Sequence, residues 1–288
     1  MTTTGSVRGP LVLSFASCAG LALVSATWSS PVHATTHARP EAPRPTVTAD
    51  RLVASSIALA PDADATLYQE GDLSNGGGQF LFAGTTLRGQ ARRALVRFDV
   101  ASALPPGSTI EDVRLVLTVD RTAAGDVTVA IHRLLSSWGE GSVDDDLREG
   151  DGAPAETGDA TWDDRFHPTT AWTSAGGDFV ATPSAGATAG GSGPVSFGST
   201  ASMIADVQGW LDDPSSNHGW IVIADETTAP TAKRFGSREG SVPADAPALF
   251  VELAPPAIPV WSGLGRWIAV ALSAIAGLIV LRRVRGWL

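Results

Sequence analysis

The chain has 288 residues, 43% of them hydrophobic and 17% charged, which supports one sizeable core or two small ones and excludes a disordered polymer. Arg8, Arg266, Arg282, Arg283 and Arg285 lie in two terminal segments, so the part between them sets all 30 acids against the other 15 of the 20 bases. Such a field repels nucleic acid, which is excluded as a partner.

The first segment, residues 1–34, has the order of a secretory signal: Arg8, then an apolar run from Leu11 to Ala26, then the small-x-small triplet Val32-His33-Ala34. The run is short for a bilayer of about 30 Å, which disfavours a membrane anchor here. A lipoprotein signal at Cys18 is disfavoured too, because Phe15-Ala16-Ser17 is a poor lipobox and the apolar run continues past it. Cleavage after Ala34 leaves a chain with no cysteine and no need of disulfides. Residues 35–54, rich in Pro, Ala, Thr and Arg, read as a flexible leader.

Residues 55–253 are predicted to form one all-β domain. Period-two alternation marks its strands: Leu95 and Arg97 face away from Val96 and Phe98, Leu115, Leu117 and Val119 away from Arg114, Val116 and Thr118, and Val127, Val129 and Ile131 away from Thr128 and Ala130. These read as half-buried antiparallel strands separated by turns at Leu104-Pro105-Pro106-Gly107 and Ala123-Ala124-Gly125-Asp126. The stretch from Ser136 to Gly193 is rich in Gly, Asp, Thr and Ser and too long for an ordinary loop. It is expected to be a long excursion pinned by Trp138, Trp162 and Trp172. One amphipathic helix follows Ser199-Thr200, with Met203, Ile204, Val207, Trp210 and Leu211 at helical spacing and Asp212-Asp213-Pro214 as its stop. Further strands are expected over 220–224, 232–236 and 249–253.

A stiff spacer, 254–257, leads into the tail, 258–288. Its apolar run from Trp267 to Leu281, extended back to Val260, approaches the roughly 20 residues of a tilted transmembrane helix. Arg282, Arg283 and Arg285 place the C-terminus in the cytoplasm and the domain outside by the positive-inside rule.

Several segments together resemble the DNRLRE domain: Asp62-Ala63-Asp64-Ala65-Thr66 with Asn75-Gly76, ALVRFDVASALPPGSTIEDVRLVLTV, TWDDRFHPTTAWTSAGGDF, SNHGWIVIADE, RFGSREG and PALFVEL, in order from about Ala58 to Leu253. The resemblance implies a single jelly-roll-like antiparallel β-sandwich of the carbohydrate-binding module type, displayed by secreted surface proteins. The tail resembles the IPTL-CTERM class of sorting signals, which implies a membrane sorting protease acting near Ile258-Pro259. Val260-Trp261-Ser262-Gly263 stands where that class has Thr-Leu and a spaced Trp-Gly.

Sugar rings stack on aromatic side chains, so Trp138, Trp162, Trp172 and Trp220 are the candidate glycan contacts, each weighed against burial in the core. Trp162 and Trp172 are the favoured pair, with Asp163, Asp164 and Arg165 beside them and Asp178 nearby. Asp64, Asn75, Asp99 and Glu226 are candidate calcium ligands if the fold brings them together, although neither Asp144-Asp145-Asp146 nor Asp62-x-Asp64 has EF-hand spacing. Arg97, Asp225-Glu226 and Arg238-Glu239 are expected to form a charge lattice on one sheet face. No His-x-x-x-His, nucleophile elbow or mature cysteine is present, and chance pairs of carboxylates are common among 30 acids, so an enzyme is disfavoured. The expectation is therefore an exported, non-catalytic glycan-binding module that needs no cofactor. The competing readings are a structural envelope or biofilm protein and, third, a polysaccharide-active enzyme.

Overall fold

A computed structural model describes residues 56–255 except 123, 146 and 147. The expectations for the signal, the leader and the tail lie outside these residues. Among the described residues no helix is long and apolar enough to cross a membrane.

The chain runs through β1 (Ser56–Leu59), β2 (Ala63–Tyr68), β3 (Leu73–Ser74), β4 (Phe80–Thr85), β5 (Ala91–Arg97) and the single turn α1 (Val100–Ala103). It continues through β6 (Ile110–Thr122), β7 (Val127–Arg133), β8 (Ala153–Pro154), β9 (Asp164–Phe166), β10 (Thr170–Ala171), β11 (Ala185–Ala189) and β12 (Gly193–Phe197). Helix α2 (Ala201–Asp212) precedes β13 (Trp220–Ala224), β14 (Lys233–Gly236) and β15 (Ala248–Leu253). Eleven of these strands form one antiparallel sheet in the order β1-β15-β6-β14-β4-β5-β13-β7-β11, with β12 also on β6 and β2 also on β5.

The sheet curls so that its two halves bury a common core. Val113, Leu115, Leu117 and Val119 of β6, Phe197, Phe235, Leu249 and Val251 line it from one half, and Val96, Val129, Ile131, Trp220 and Val222 from the other. Strand β4 belongs to both halves, pairing with β14 over Phe80–Ala83 and with β5 at Gly84 and Thr85. At this crossing Gly84 has φ +107°, and a Cβ there would lie 2.8 Å from the Thr231 carbonyl oxygen, so only glycine fits. Helix α2 forms as its periodicity predicts. The Thr200 hydroxyl accepts the Met203 N–H at 3.0 Å, and Met203, Val207, Trp210 and Leu211 enter the core, with the Trp210 and Trp220 ring centroids 4.5 Å apart.

The outer face of the β2-β5-β13 region differs from the half-buried expectation. Leu67, Leu95 and Ile221 point away from the main core, yet a second apolar cluster covers them, built with Leu134, Trp138, Ala160 and Trp172 of the long excursion. Both faces of these strands are therefore buried, and the excursion is a third layer in place of a solvated loop. Its last part is regular as well: β11, built of Ala, Gly and Thr, pairs with β7, and β12, which follows at its end, pairs with β6, so that they extend the two halves of the sheet.

Candidate functional site

The third layer opens into a cleft of about 440 Å3 lined by Arg93, Leu135, Ser136, Thr173, Ser174, Ala175, Gly177, Asp178 and Phe179. Its floor is Arg93 of β5, which sits between two aromatic rings, with its guanidinium carbon 4.7 Å from the Trp162 centroid and 5.6 Å from that of Phe179. Arg93 Nε and Nη2 each donate to a Glu226 carboxylate oxygen at 2.8 Å, and Nη1 donates to the Gly176 carbonyl at 2.7 Å. Gly176 has φ +87°, and a Cβ there would come within 2.6 Å of Arg93 Nη1 and 2.8 Å of the Trp162 ring. The wall at 173–178 is a closed turn, because the Asp178 carboxylate accepts the Thr173 and Ser174 N–H groups at 2.9 and 3.0 Å. Beside it, Leu135, whose backbone N–H donates to the Asp178 carbonyl at 2.9 Å, leaves 51% of its surface exposed.

The tryptophans divide by burial. Trp138 (4% exposed) donates its indole N–H to the His218 carbonyl, and Trp172 (5% exposed) donates to the Thr161 carbonyl, both at 2.9 Å. Their rings fill the second cluster and Trp220 the main core, so none of the three presents a face to a ligand. Trp162 is half-buried and backs the cleft through Arg93. Asp163 is exposed, and its carbonyl accepts the Trp172 N–H. Asp164 pairs with His167 at 3.1 Å, and Arg165 donates to the Ser137 carbonyl at 3.1 Å and to its hydroxyl, next to the cleft wall. Arg93 carries no local signal in the sequence, and although Phe179 ends a conspicuous segment, only the packing of that segment against β5, more than 80 residues away, joins the two.

The four candidate calcium ligands go to different tasks. Asp99 caps α1 by accepting the Ser102 N–H, Glu226 holds Arg93, and Asn75 donates to the Phe80 carbonyl. Asp64 instead meets Glu140 and Glu239, with carboxylate oxygens of all three within 4.8 Å of one another. Among the described residues Arg238 balances them, donating through Nε to Glu140 at 2.7 Å and through its backbone N–H to Asp64 at 2.8 Å. Of the expected charge lattice, Arg238 and Glu239 do pair, at 2.8 Å, but Arg97 pairs with Asp62, also at 2.8 Å, and the Asp225 carboxylate takes the Thr227 and Thr228 hydroxyls.

Burial, reinforced by Glu239 and Glu140 and opposed by the Arg238 N–H, holds the Asp64 carboxyl well above the usual carboxylate range. In the unfolded chain this group ionises near pH ~4. Its stabilising contribution is therefore complete below about pH 4 and is lost as pH rises through the folded value. Asp64→Asn keeps an acceptor for the Arg238 N–H and is expected to flatten this loss, raising the unfolding midpoint by a few degrees at about pH 8 and leaving it unchanged at about pH 3. Thermal melts across that range test it; parallel profiles for the two proteins would contradict a raised Asp64 pKa.

The fold and the cleft define a mostly β, antiparallel protein with an open surface site made by an inserted layer. No protein-family model matches the chain, and no curated protein is similar enough in sequence to match it.

Proposed function

We propose that this is an exported surface protein whose domain is a single jelly-roll-like β-sandwich acting as a non-catalytic carbohydrate-binding module. The cleft at Leu135, Phe179 and the 173–178 turn carries the reading. Its volume lies within the roughly 300–1,000 Å3 of small-ligand sites, and its lining joins apolar and aromatic walls to the hydroxyl side chains of Ser136, Thr173 and Ser174. A sugar ring offers the complementary pair, a C–H face and a hydroxyl edge. Screening the purified protein on a glycan array, beside an Ala175→Trp variant that fills the cleft from an exposed position, is the test. Binding by the parent and its loss in the variant are expected; binding that survives in the variant would remove the site from this cleft.

The burial of Trp138 and Trp172 favours a second reading, a structural envelope or biofilm-matrix protein without sugar binding, because it withdraws two platforms from the surface. An array with no bound glycan selects it.

In either reading export cleaves the chain after Ala34, and the 258–288 tail anchors it in a membrane or is processed by a sorting protease. N-terminal sequencing of the exported protein is expected to begin at Thr35; an acylated Cys18 would overturn this. The domain requires no cofactor in this reading. Calcium is expected to raise its unfolding midpoint only through the Asp64, Glu140 and Glu239 carboxylates, so Glu140→Gln should abolish any rise.

A further inference from the structure

We infer that the cleft selects uncharged saccharides and rejects acidic ones, an inference that rests on the glycan-binding reading of the same site. Every formal charge at the cleft is already committed. Arg93 spends its Nε and Nη2 on Glu226 and its Nη1 on the Gly176 carbonyl, and it is held between the Trp162 and Phe179 rings. The Glu226 carboxylate already neutralises the Arg93 charge, so a ligand carboxylate or sulfate approaching the N–H bonds that remain on Nη1 and Nη2 would meet a half-buried ion pair in place of a free cation. Asp178 closes the turn from the opposite wall and adds a negative charge facing the same space, with no second lysine or arginine among the lining residues. The remaining surface consists of Leu135, the Phe179 ring and the hydroxyls of Ser136, Thr173 and Ser174. Those groups match a neutral ring, with apolar contact on one side and hydrogen bonds at its edge. They offer an anion hydroxyl donors but no unpaired cation to offset the loss of its hydration.

Titration calorimetry on the full-length protein, in a detergent without a sugar headgroup, tests this with two probe sets: neutral gluco-, galacto- and manno-oligosaccharides, and oligogalacturonides. At least one neutral probe is expected to bind about tenfold or more tightly than any oligogalacturonide, and Ala175→Trp to abolish it. Leu135→Lys, at a site already half open to solvent, is expected to narrow that preference about tenfold by supplying the missing cation, and to do so less at high salt. Equal or tighter binding of oligogalacturonides by the parent protein, lost in Ala175→Trp, would overturn the selectivity while leaving the glycan site in place. An unchanged preference in Leu135→Lys would overturn the electrostatic cause. No heat from either probe set would overturn the glycan-binding reading itself.

Discussion

Replacing Trp172 with alanine is expected to destabilise the domain by about 3–5 kcal/mol, the range for deleting a large buried aromatic. The ring is 5% exposed, packs in the cluster that covers Leu67, Leu95 and Ile221, and satisfies the Thr161 carbonyl through its indole N–H. Its removal leaves a cavity beneath the third layer and an acceptor without a donor. For a domain of this size the unfolding midpoint should fall by roughly 10 °C. Trp162→Ala makes the contrast, because that ring is only half-buried, at the margin of the same cluster, and carries Arg93 on its face. It should cost only about 1 kcal/mol of stability, the scale of a cation–π contact, while disturbing the cleft floor and any ligand bound there. Calorimetric melts of both variants separate the roles: a Trp172→Ala protein that melts like the parent but loses ligand would show that the ring is a binding platform after all.

The second large effect is expected at Lys233. This side chain is fully buried, and its ammonium donates to three backbone carbonyls, those of Ala124 at 3.2 Å, Gly125 at 2.6 Å and Gly190 at 2.7 Å. Among the described residues no carboxylate lies within 4.0 Å of it, so the charge is solvated by main-chain dipoles in place of a counter-ion. Burial accordingly lowers its pKa below the ordinary lysine value, partly offset by Asp126. The ammonium ties the turn before β7 and the turn between β11 and β12 to β14, joining connections that no strand pairing holds. Lys233→Met keeps the apolar stem and deletes the donors, leaving three buried carbonyls to find other partners. A loss of roughly 3 kcal/mol or more is expected, because hydrogen bonds to a charged group contribute about 1.5–3 kcal/mol each and their loss is not fully additive. Denaturant unfolding measures it. A midpoint unchanged from the parent would mean that water replaces the ammonium at no cost.

These two residues differ in how far the sequence announces them. Trp172 stands out in a polar stretch, and its pinning role can be expected from side-chain size alone. Nothing around Lys233 distinguishes it from a surface lysine at the start of a strand, because its partners are carbonyls more than 40 residues away in either of two turns. The cleft follows the same division. Asp178 and Trp162 belong to a conspicuous segment, whereas Arg93, Glu226 and Phe179 become neighbours only when β5, the residues after β13 and the excursion meet.

What the sequence determined by itself is what depends on near neighbours. Alternation of apolar residues set β6 and β7, and a Thr200 cap with a Pro214 stop set α2, since inward-facing periodicity and end-group satisfaction act within a few residues. The tertiary structure alone decided the rest. Strand β11, all Ala, Gly and Thr, and β12, which opens Gly193-Pro194, do not declare themselves and exist because β7 and β6 offer open edges. The outward faces of Leu67, Leu95 and Ile221 are buried because the excursion folds over them, an outcome no period-two pattern encodes. Asp64 met Glu140 and Glu239 instead of Asn75, Asp99 and Glu226 for the same reason: hydrophobic burial fixes which segments touch, and the polar groups then take the partners that this contact leaves within reach.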